Sequence, residues 1–309
     1  MKAFVTGVNG QLGHDVVNEL TARGYECVGS DIAPSYTGIQ DGTPVCSSKY
    51  VNLDITDGQE TVRVLEKIRP DWVFHCAAFT AVDAAEEAEQ TARAVNADGT
   101  RHIAEQCEKL GCKMMYISTD YVFDGQGDAP WMPECRTFTP VNVYGRTKLE
   151  GELAVQQTVS RAFIVRIAWV FGMNGKNFVR TMLNLSKMHD SLRVVCDQIG
   201  TPTYTLDLAR LLVDMMETEK YGIYHATNEG GYISWYEFAC EIFKQAGKTV
   251  AVQPVTTAEY GASKAARPFN SRLSKDKLSE NGFKRLPDWR DALGRYVKAL
   301  KETDEKERA

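Results

Sequence analysis

The chain has 309 residues, 43% of them hydrophobic, and a formal net charge of −5 at pH 7. This length predicts two domains, or one large domain with an appendage, and enough apolar residues for a sizeable core. The negative charge and the lack of basic runs argue against a nucleic-acid surface. No apolar run reaches the roughly 20 residues of a membrane-spanning helix. Eight cysteines without a Cys-x-x-Cys pair favour a reducing, cytoplasmic setting.

Short β-rich runs and helical periods alternate through the first half of the chain. Strands are predicted at 2–7, 25–31, 71–78, 112–119 and 161–172. Helices are predicted at 11–24 and 85–111, and a third begins near Tyr144. This alternation predicts right-handed crossovers and an α/β fold, a doubly wound, Rossmann-like parallel sheet.

The regular alternation of predicted strands and helices becomes weaker after residue 172. Helical stretches are predicted at 176–188, 206–219 and 234–246, short strands near 192–196, 222–226 and 250–255, and a helix over the last twenty residues. We therefore expect a dinucleotide-binding domain over 1–172 and a smaller α/β lobe, mainly for substrate, over 173–309. The boundary leaves room for the chain to cross back to the main sheet.

The stretch TGVNGQLG places Gly7, Gly10 and Gly13 between the first strand and the first helix. Backbone N–H groups and a helix N-terminus in such a turn favour a pyrophosphate, so we also assign Asn9, Gln11 and Leu12 to the cofactor site. A tight turn that only packs the helix is the alternative.

Acidic residues end two further strands: Asp31 ends the strand predicted at 25–31, and Asp54 is expected at the end of a third strand. The carboxylate of Asp31 can accept hydrogen bonds from the adenosine ribose and repel a 2′-phosphate, which slightly favours NADH over NADPH. A capping role is the alternative for Asp31. Asp54 and Ile55 are expected near the adenine, with a helix-start role as the alternative for Asp54. Ala77 and Ala78 follow another strand and complete the cofactor set.

Two Tyr-x-x-x-Lys pairs occur, Tyr144/Lys148 and Tyr260/Lys264, where chance predicts roughly 0.8. Spacing cannot separate them, because either pair shares a helix face. Position favours the first pair. A predicted strand ends at Thr119, immediately before the Tyr144 helix, and ligands bind at the carboxyl ends of such strands.

These residue types suit the reduction of a ketone. Hydride addition leaves an alkoxide that must be protonated, and the reference pKa of a tyrosine is about 10. We expect the ammonium of Lys148 to lower the pKa of Tyr144 and to hold the nicotinamide ribose. Thr119 can donate to the carbonyl oxygen. An exposed helix face and an ordinary surface threonine are the alternatives.

Motifs across roughly residues 1 to 300 resemble the dTDP-4-dehydrorhamnose reductase family, in the extended short-chain dehydrogenase/reductase superfamily. The resemblance rests on the order of TGVNGQLG, AAFTAVDAAE, VNADGT, YISTDYVFDG, YGRTKLEGE, RIAWVFG, NFVRTML, DQIGTPT and ARPFNSRLS. It implies reduction of the 4-keto group of dTDP-6-deoxy-L-lyxo-4-hexulose to give dTDP-L-rhamnose.

The resemblance also implies residue roles. Thr119, Tyr144 and Lys148 match the catalytic triad. The residues that match the sugar-contacting set are Thr80, Val82, Thr119, Asp120, Tyr121 and Trp169. Asn96 is similar to the helix asparagine that supports the active-site lysine, with a surface position as the alternative. Candidates for the nucleotide diphosphate are Asn177, Arg267 and Arg272, although solvated surface arginine is an equal alternative.

Some family members hold magnesium at an acidic dimer contact. Asp15 is acidic near the corresponding helix but has no convincing partner carboxylates, so we expect no metal and regard Mg²⁺ as doubtful. The five histidines are isolated, which also argues against a structural metal. A nucleotide-sugar substrate is the expected partner, with no nucleic acid or membrane, and both a monomer and a homodimer are open.

Two other functions fit the same fold. One is a nucleotide-sugar epimerase or dehydratase. Dehydratases of this superfamily usually place Asp-Glu after the strand-end threonine, whereas Asp120-Tyr121 follows here and disfavours elimination. The other is a non-catalytic binding protein similar to the regulatory subunit of methionine adenosyltransferase, against which the intact Thr119, Tyr144 and Lys148 set weighs.

Overall fold

The computed structural model describes residues 1–261 and 263–308, with side chains through residue 303. Its strands are β1 (Lys2–Thr6), β2 (Glu26–Asp31), β3 (Lys49–Asn52), β4 (Trp72–His75), β5 (Lys113–Thr119), β6 (Ala162–Ile167), β7 (Val170–Phe171), β8 (Ser191–Val195), β9 (Ile199–Gly200), β10 (Thr203–Tyr204), β11 (Gly222–His225), β12 (Asn228–Glu229), β13 (Ile233–Ser234), β14 (Ala251–Val255) and β15 (Leu286–Asp288).

The helices lie between these strands. They are α1 (Gln11–Ala22), α2 (Gly58–Ile68), α3 (Val82–Ala85), α4 (Glu89–Arg93), α5 (Thr100–Leu110), α6 (Val143–Thr158), α7 (Phe178–Leu185), α8 (Thr205–Met216), α9 (Trp235–Ala246), α10 (Thr257–Tyr260), α11 (Asp276–Glu280) and α12 (Trp289–Arg308). A π-helical turn, Ala94–Gly99, joins α4 to α5. No helix among the described residues is both long and apolar enough to span a bilayer.

Seven parallel strands form the main sheet, in the order β11-β6-β5-β4-β1-β2-β3. The prediction of a doubly wound parallel sheet is therefore confirmed. Its central strands are buried on both faces, as their continuous apolar runs require. The strand order reverses direction at β1 and β4, and this switch point places a crevice outside their carboxyl ends.

Helices cover both faces of this sheet. On one face α1 and α8 bury Val16, Leu20 and Leu212 against the strands. On the other face, α2 and α5 bury Leu65 and Ile103. Burying each such side chain contributes about 1.5–3 kcal/mol, so the two layers fix the strand ends that form the crevice.

Residues after 172 contribute to both parts of the molecule. β11 pairs in parallel with β6 and forms one edge of the main sheet. A separate core forms where α9 and α12 pack together, with Phe238, Ile242 and Leu293 buried. β8 and β14 form a two-stranded parallel sheet beside this core. The chain therefore leaves the main sheet, returns to it once, and leaves again.

Two predicted elements are interrupted, and both interruptions lie near the crevice. The helix predicted over 85–111 contains the π-helical turn, where Gly99 packs against Ile55; a Cβ on Gly99 would lie 2.8 Å from the Ile55 side chain. The strand predicted over 161–172 breaks at Trp169, whose φ is +50°. Neither interruption changes hydrophobic periodicity, which is why the pattern did not predict it.

Candidate active site

A cleft of about 800 Å³ lies at the carboxyl edge of the main sheet. Most of the residues predicted to form the site line it: Gly7, Gly10, Gln11, Leu12, Gly13, Asp31, Asp54, Ile55, Ala77, Ala78, Thr80, Val82, Thr119, Asp120, Tyr121, Tyr144, Lys148 and Trp169. The fold thus brings together residues from seven separate segments of the chain. Asn9, Asn96, Asn177, Arg267 and Arg272 lie outside this lining.

The glycine turn is built by very close packing. Gly7 has a φ of +74°, and a Cβ there would lie 2.6 Å from the nitrogen of Ala77. A Cβ on Gly13 would lie 2.2 Å from the carbonyl oxygen of Gly7. Gly10 precedes α1, whose first turn has no acidic side chain. The helix N-terminus therefore presents a positive end to the cleft, and this arrangement fits a dinucleotide pyrophosphate.

Asp31 is tied to the same turn. Its Oδ2 accepts a hydrogen bond from the backbone N–H of Asn9 at 3.0 Å, and its Oδ1 accepts from that of Ile32 at 2.8 Å. The Asn9 side chain instead accepts from the backbone of Thr37. Asn9 therefore helps to fix the Asp31 carboxylate through its main chain, while its side chain orders the following loop.

Asp54 and Ile55 border the adenine end expected from the sequence. Oδ1 of Asp54 accepts from the backbone and hydroxyl of Thr56 at 2.9 and 2.7 Å. The helix-start role falls instead to Asp57, which caps α2 by accepting from the N–H of Glu60, while Asp54 closes the preceding turn and lies on the cleft wall. Ile55 packs on Gly99, so the π-helical turn shapes this wall.

The helix that carries Tyr144 and Lys148 is held tightly against the cleft. Asn142 caps it by accepting from the N–H of Gly145 at 2.8 Å. A Cβ on Gly145 would lie 2.3 Å from the carbonyl oxygen of Tyr121, so α6 approaches the segment after β5 closely. Tyr144 and Lys148 are one turn apart on the face that this contact directs to the cleft.

The Tyr144 ring contacts that of Tyr121 edge-on, with 5.4 Å between the ring centres. Burial raises the pKa of Tyr144 well above its ordinary value, although the nearby Thr119 hydroxyl acts in the opposite direction; Asp120 and Tyr121 raise it further. This direction is opposite to the predicted lowering of the Tyr144 pKa.

Lys148 explains this difference. It is 3% exposed, and its Nζ donates to the carbonyl oxygen of Ile117 at 2.7 Å and lies 4.3 Å from the centre of the Tyr116 ring. Burial lowers the pKa of Lys148 to about 7, against an opposing effect of Glu152. A Lys148 amine that is partly neutral and that donates to a backbone carbonyl cannot strongly lower the pKa of the Tyr144 phenol.

Thr119 and Asp120 leave one polar atom free. The Thr119 hydroxyl donates to Oδ1 of Asp120 at 3.1 Å and accepts from the N–H of Tyr121 at 3.3 Å. Asp120 is 2% exposed, its pKa is raised by burial to about 6, and its Oδ2 has no hydrogen-bond partner among the described residues. A buried carboxylate oxygen of this kind is well placed to accept a ligand hydroxyl.

Asn96 lies in the π-helical turn and is fully buried. Its Oδ1 accepts from the N–H of Phe79 at 2.8 Å, and its Nδ2 donates to the Phe79 carbonyl at 3.1 Å and to the Thr147 hydroxyl at 3.0 Å. The surface alternative is therefore excluded. Asn96 anchors α6, the helix of Lys148, to the loop that carries Thr80.

The diphosphate candidates have other positions. Asn177 caps α7, and its Nδ2 donates to Gln11, Gly172 and Tyr296. The fold uses its whole amide, and Asn177 lies outside the cleft lining, so its assignment to the diphosphate stays a prediction. Arg272 donates to the side chain of Asn270 at 3.0 Å and also lies outside the cleft lining.

Arg267 lies at the sugar end of the cleft. Its guanidinium pairs with Asp83 at 2.7 Å and reaches the Tyr121 hydroxyl at 3.4 Å. Tyr121 in turn contacts Tyr144, so Arg267 borders the expected substrate without lining the cleft itself.

Several lining residues were not predicted: Ser30, Cys76, Phe79, Ser118, Lys176 and Trp235. The most informative is Trp235, which stacks on Trp169 with ring centres 3.6 Å apart. Trp169 adopts a left-handed backbone conformation, which costs roughly 1–2 kcal/mol for a residue with a side chain. A capping box of Ser234 and Glu237 at the start of α9 was the only local signal near Trp235.

Asp15 does not offer a metal site. It is buried against α8 and accepts a hydrogen bond from Thr205. Among the described residues, no three His, Cys, Asp or Glu side chains lie close enough together to hold an ion. We therefore expect dialysis against EDTA to leave the melting temperature and turnover unchanged; restoration of lost turnover by added Mg²⁺ would refute this expectation.

Comparisons with known proteins agree with this geometry. A family model described as RmlD substrate binding domain matches residues 1–302. The dTDP-4-dehydrorhamnose reductase of Streptomyces griseus is 38% identical over 303 residues, which cover 96% of this chain and 93% of the relative.

Two solved structures are similar over nearly the whole chain. The dTDP-4-dehydrorhamnose reductase of Clostridium acetobutylicum is 39% identical, with a TM-score of 0.88 over 97% of this chain and 100% of that one. The Bacillus anthracis enzyme of the same name, in complex with NADP, is 37% identical, with a TM-score of 0.86 over 96% and 99%. With the glycine turn and the Thr119, Tyr144 and Lys148 cluster, these matches show that the chain belongs to the RmlD substrate binding domain family, which includes dTDP-4-dehydrorhamnose reductases.

Proposed function

We propose that this chain reduces the 4-keto group of a nucleotide-linked deoxysugar with NAD(P)H, converting dTDP-4-dehydro-L-rhamnose to dTDP-L-rhamnose. The observation that carries the proposal is that Thr119, Tyr144 and Lys148 lie together in the same cleft as the glycine turn. The dTDP-4-dehydrorhamnose reductases among its relatives support the substrate, and the NADP complex of one of them supports a nicotinamide cofactor.

A nicotinamide dinucleotide bound along the cleft supplies the hydride. The chain supplies the proton: Tyr144 holds it at the phenol oxygen and transfers it to the carbonyl oxygen as the C–H bond forms. Its raised pKa suits this role, because the proton remains in place until charge develops on the substrate. Thr119 orients the phenol and borders the same oxygen, so the alcohol forms without a free alkoxide.

Substrate binding is assigned to the wall beyond Thr119. The free Oδ2 of Asp120 accepts a sugar hydroxyl, and its burial makes that hydrogen bond selective for substrates that carry the hydroxyl. Thr80, Val82, Tyr121 and Trp169 complete this wall. Arg267 stands behind Tyr121 and supplies positive charge near the diphosphate.

Asp31 is proposed to favour NADH. A fixed carboxylate between Ser30 and Ile32 accepts ribose hydroxyls and repels a 2′-phosphate. The Bacillus anthracis relative is in complex with NADP. The cofactor preference of this chain is therefore tested by removing the charge of the Asp31 carboxylate. We expect Asp31→Ala to weaken NADH binding about tenfold or more while leaving NADPH binding unchanged or improved. Titration of each cofactor by fluorescence measures both constants; equal losses for the two cofactors would remove Asp31 from the ribose site.

The function is tested by following NADH and NADPH oxidation with a panel of 4-keto nucleotide sugars, dTDP-linked compounds first. Rapid oxidation with the dTDP-linked deoxysugar and formation of the 4-hydroxy product support the proposal. Elimination of water from a nucleotide hexose would indicate a dehydratase instead. Absence of turnover together with co-purification of a synthetase would indicate a regulatory binding protein.

The oligomeric state and the domain division belong to the same proposal. We assign cofactor binding to 1–172, which also supplies the sugar wall from Thr80 to Trp169, and the rest of the substrate site to 173–309, from which Trp235 lines the cleft; β11 is the segment that returns to the main sheet. Each copy contains a complete set of Thr119, Tyr144 and Lys148, so a monomer suffices for turnover and a homodimer is compatible with it. Sedimentation during turnover distinguishes the two states.

A further inference from the structure

The backbone of Trp169 is held in its left-handed conformation by Thr203. The Thr203 N–H donates to the carbonyl oxygen of Trp169 at 3.0 Å, and its hydroxyl donates to that of Ala168 at 2.6 Å. Thr203 is fully buried in β10, which pairs with β7 directly after Trp169. Strained conformations of this kind persist only where surrounding contacts enforce them, and they cluster at ligand sites.

The indole of Trp169 is held by two further contacts. Its face stacks on the Trp235 ring at 3.6 Å, with 13° between the planes. Gly200 also packs against this indole, where a Cβ would come within 2.8 Å of the Trp169 Cε2. Because Gly200 lacks a side chain, the ring can occupy this space, and because Trp235 lies opposite, it cannot swing away.

These two contacts belong to one structural unit. β9, which ends at Gly200, pairs with β13 immediately before α9, and Trp235 is the first residue of that helix. The capping box of Ser234 fixes the start of α9, and Phe178 lies 4.6 Å from Trp235 on another side. The C-terminal lobe thus holds the Trp169 ring in place at the cleft through Gly200 and Trp235, and we call these two residues the clamp.

We propose that Trp235 and Gly200 are positioning residues that hold Trp169 as a preformed wall for the sugar-nucleotide end of the cleft, a role that rests on the proposed function. A side chain that is already ordered loses little conformational entropy when a ligand binds against it. The clamp therefore lowers the KM for the keto sugar without entering the chemical step, and it leaves the cofactor end untouched.

Kinetics with the full-length protein test this role. Trp235→Ala should raise the KM for the dTDP-linked keto sugar about tenfold, with kcat within about twofold of wild type and the KM for NAD(P)H unchanged. Trp235→Phe should restore most of the loss, because a ring remains. Gly200→Ala should resemble Trp235→Ala, since its Cβ displaces the Trp169 ring. Tyr236→Ala, next along α9 and outside the cleft lining, is the matched control and should behave as wild type.

Far-ultraviolet circular dichroism, which covers the strong indole transition, tests the clamp without turnover. Two indoles stacked this closely should give an exciton couplet that disappears equally in Trp169→Phe and Trp235→Phe. It should survive in Trp131→Phe, whose ring stacks on Phe123 elsewhere. An active wild type whose keto-sugar KM is unaffected by Trp235→Ala, or a couplet that survives Trp235→Phe, overturns the inference. An inactive wild type overturns the proposed function instead, while the couplet still decides the clamp.

Discussion

Replacing Tyr144 by Phe is expected to lower kcat for keto-sugar reduction by about 10²- to 10⁴-fold, the range typical of a lost general acid. The change removes one oxygen and keeps the ring, so the edge contact with Tyr121 at 5.4 Å remains. Binding of NAD(P)H should match that of wild type, because the glycine turn and Asp31 are unaffected. Single-turnover absorbance at 340 nm gives the rate, and fluorescence titration gives cofactor affinity.

The chain provides its own control for this variant. Tyr260 begins the second Tyr-x-x-x-Lys pair, but it is 46% exposed, and Lys264 forms an ion pair with Glu87 at the surface. Tyr260→Phe should therefore leave kcat and stability at wild-type values. A Tyr144→Phe enzyme with near-normal kcat, or one that fails to bind cofactor, contradicts the role assigned to Tyr144.

Replacing Lys148 by Met is expected to have two opposite effects. Activity should fall at least about 10²-fold, because the buried amine beside the nicotinamide site is lost. Below pH 7 the variant should have a larger free energy of unfolding than the wild type, because its folded state no longer buries an ammonium in an apolar setting. Burial lowers the Lys148 pKa to about 7 from its ordinary value of 10.5, and such a shift corresponds to a few kcal/mol.

The pH dependence of this gain has a definite sign. Between about pH 7 and 10 the unfolded chain holds a proton on Lys148 that the folded chain has released, so the free energy of unfolding of the wild type rises with pH in that window. The stability advantage of Lys148→Met should therefore be largest near pH 6 and shrink by pH 9.5. Urea denaturation at both values measures it.

Lys264→Met is the control, because Lys264 is at the surface and its loss should change neither activity nor this pH dependence. A Lys148→Met variant that is less stable than wild type at pH 6 would show that burial of the Lys148 ammonium does not destabilise the folded protein. Retention of full activity would remove it from the catalytic set.

Much of the fold follows from patterns that the sequence displays directly. The β1 run, the glycine turn and the α1 periodicity each specify local structure, and parallel pairing then requires the crevice. Thr119 and Tyr144 could be placed together for the same reason: one ends a strand beside the switch point and the other begins the following helix.

The electrostatics could not be predicted, because they depend on burial. Spacing places Lys148 near Tyr144, but Nζ of Lys148 donates to the carbonyl of Ile117. Desolvation lowers the pKa of Lys148 and raises that of Tyr144, the latter against the expected direction. Asn177 shows the same dependence on the fold: the family resemblance suggests it for the diphosphate, and only the structure shows that Gln11 and Tyr296 already accept or share its amide hydrogen bonds.

Trp235 was missed because it lies 66 positions after Trp169, and no local period connects the two. The β9–β13 pairing joins them, and both strands have only two residues, too short for sequence patterns to reveal. Contacts between lobes are the part of this site that only tertiary structure supplies.

The most direct test of the central claim is to supply NADH or NADPH deuterated at C4 of the nicotinamide together with dTDP-4-dehydro-L-rhamnose. Nuclear magnetic resonance of the purified product then locates the label. The wild type should place one deuterium on C4 of the sugar and none elsewhere, and Tyr144→Phe should slow this transfer without moving the label. Product that lacks deuterium at C4, or a keto sugar returned unchanged while cofactor binds normally, would contradict the account.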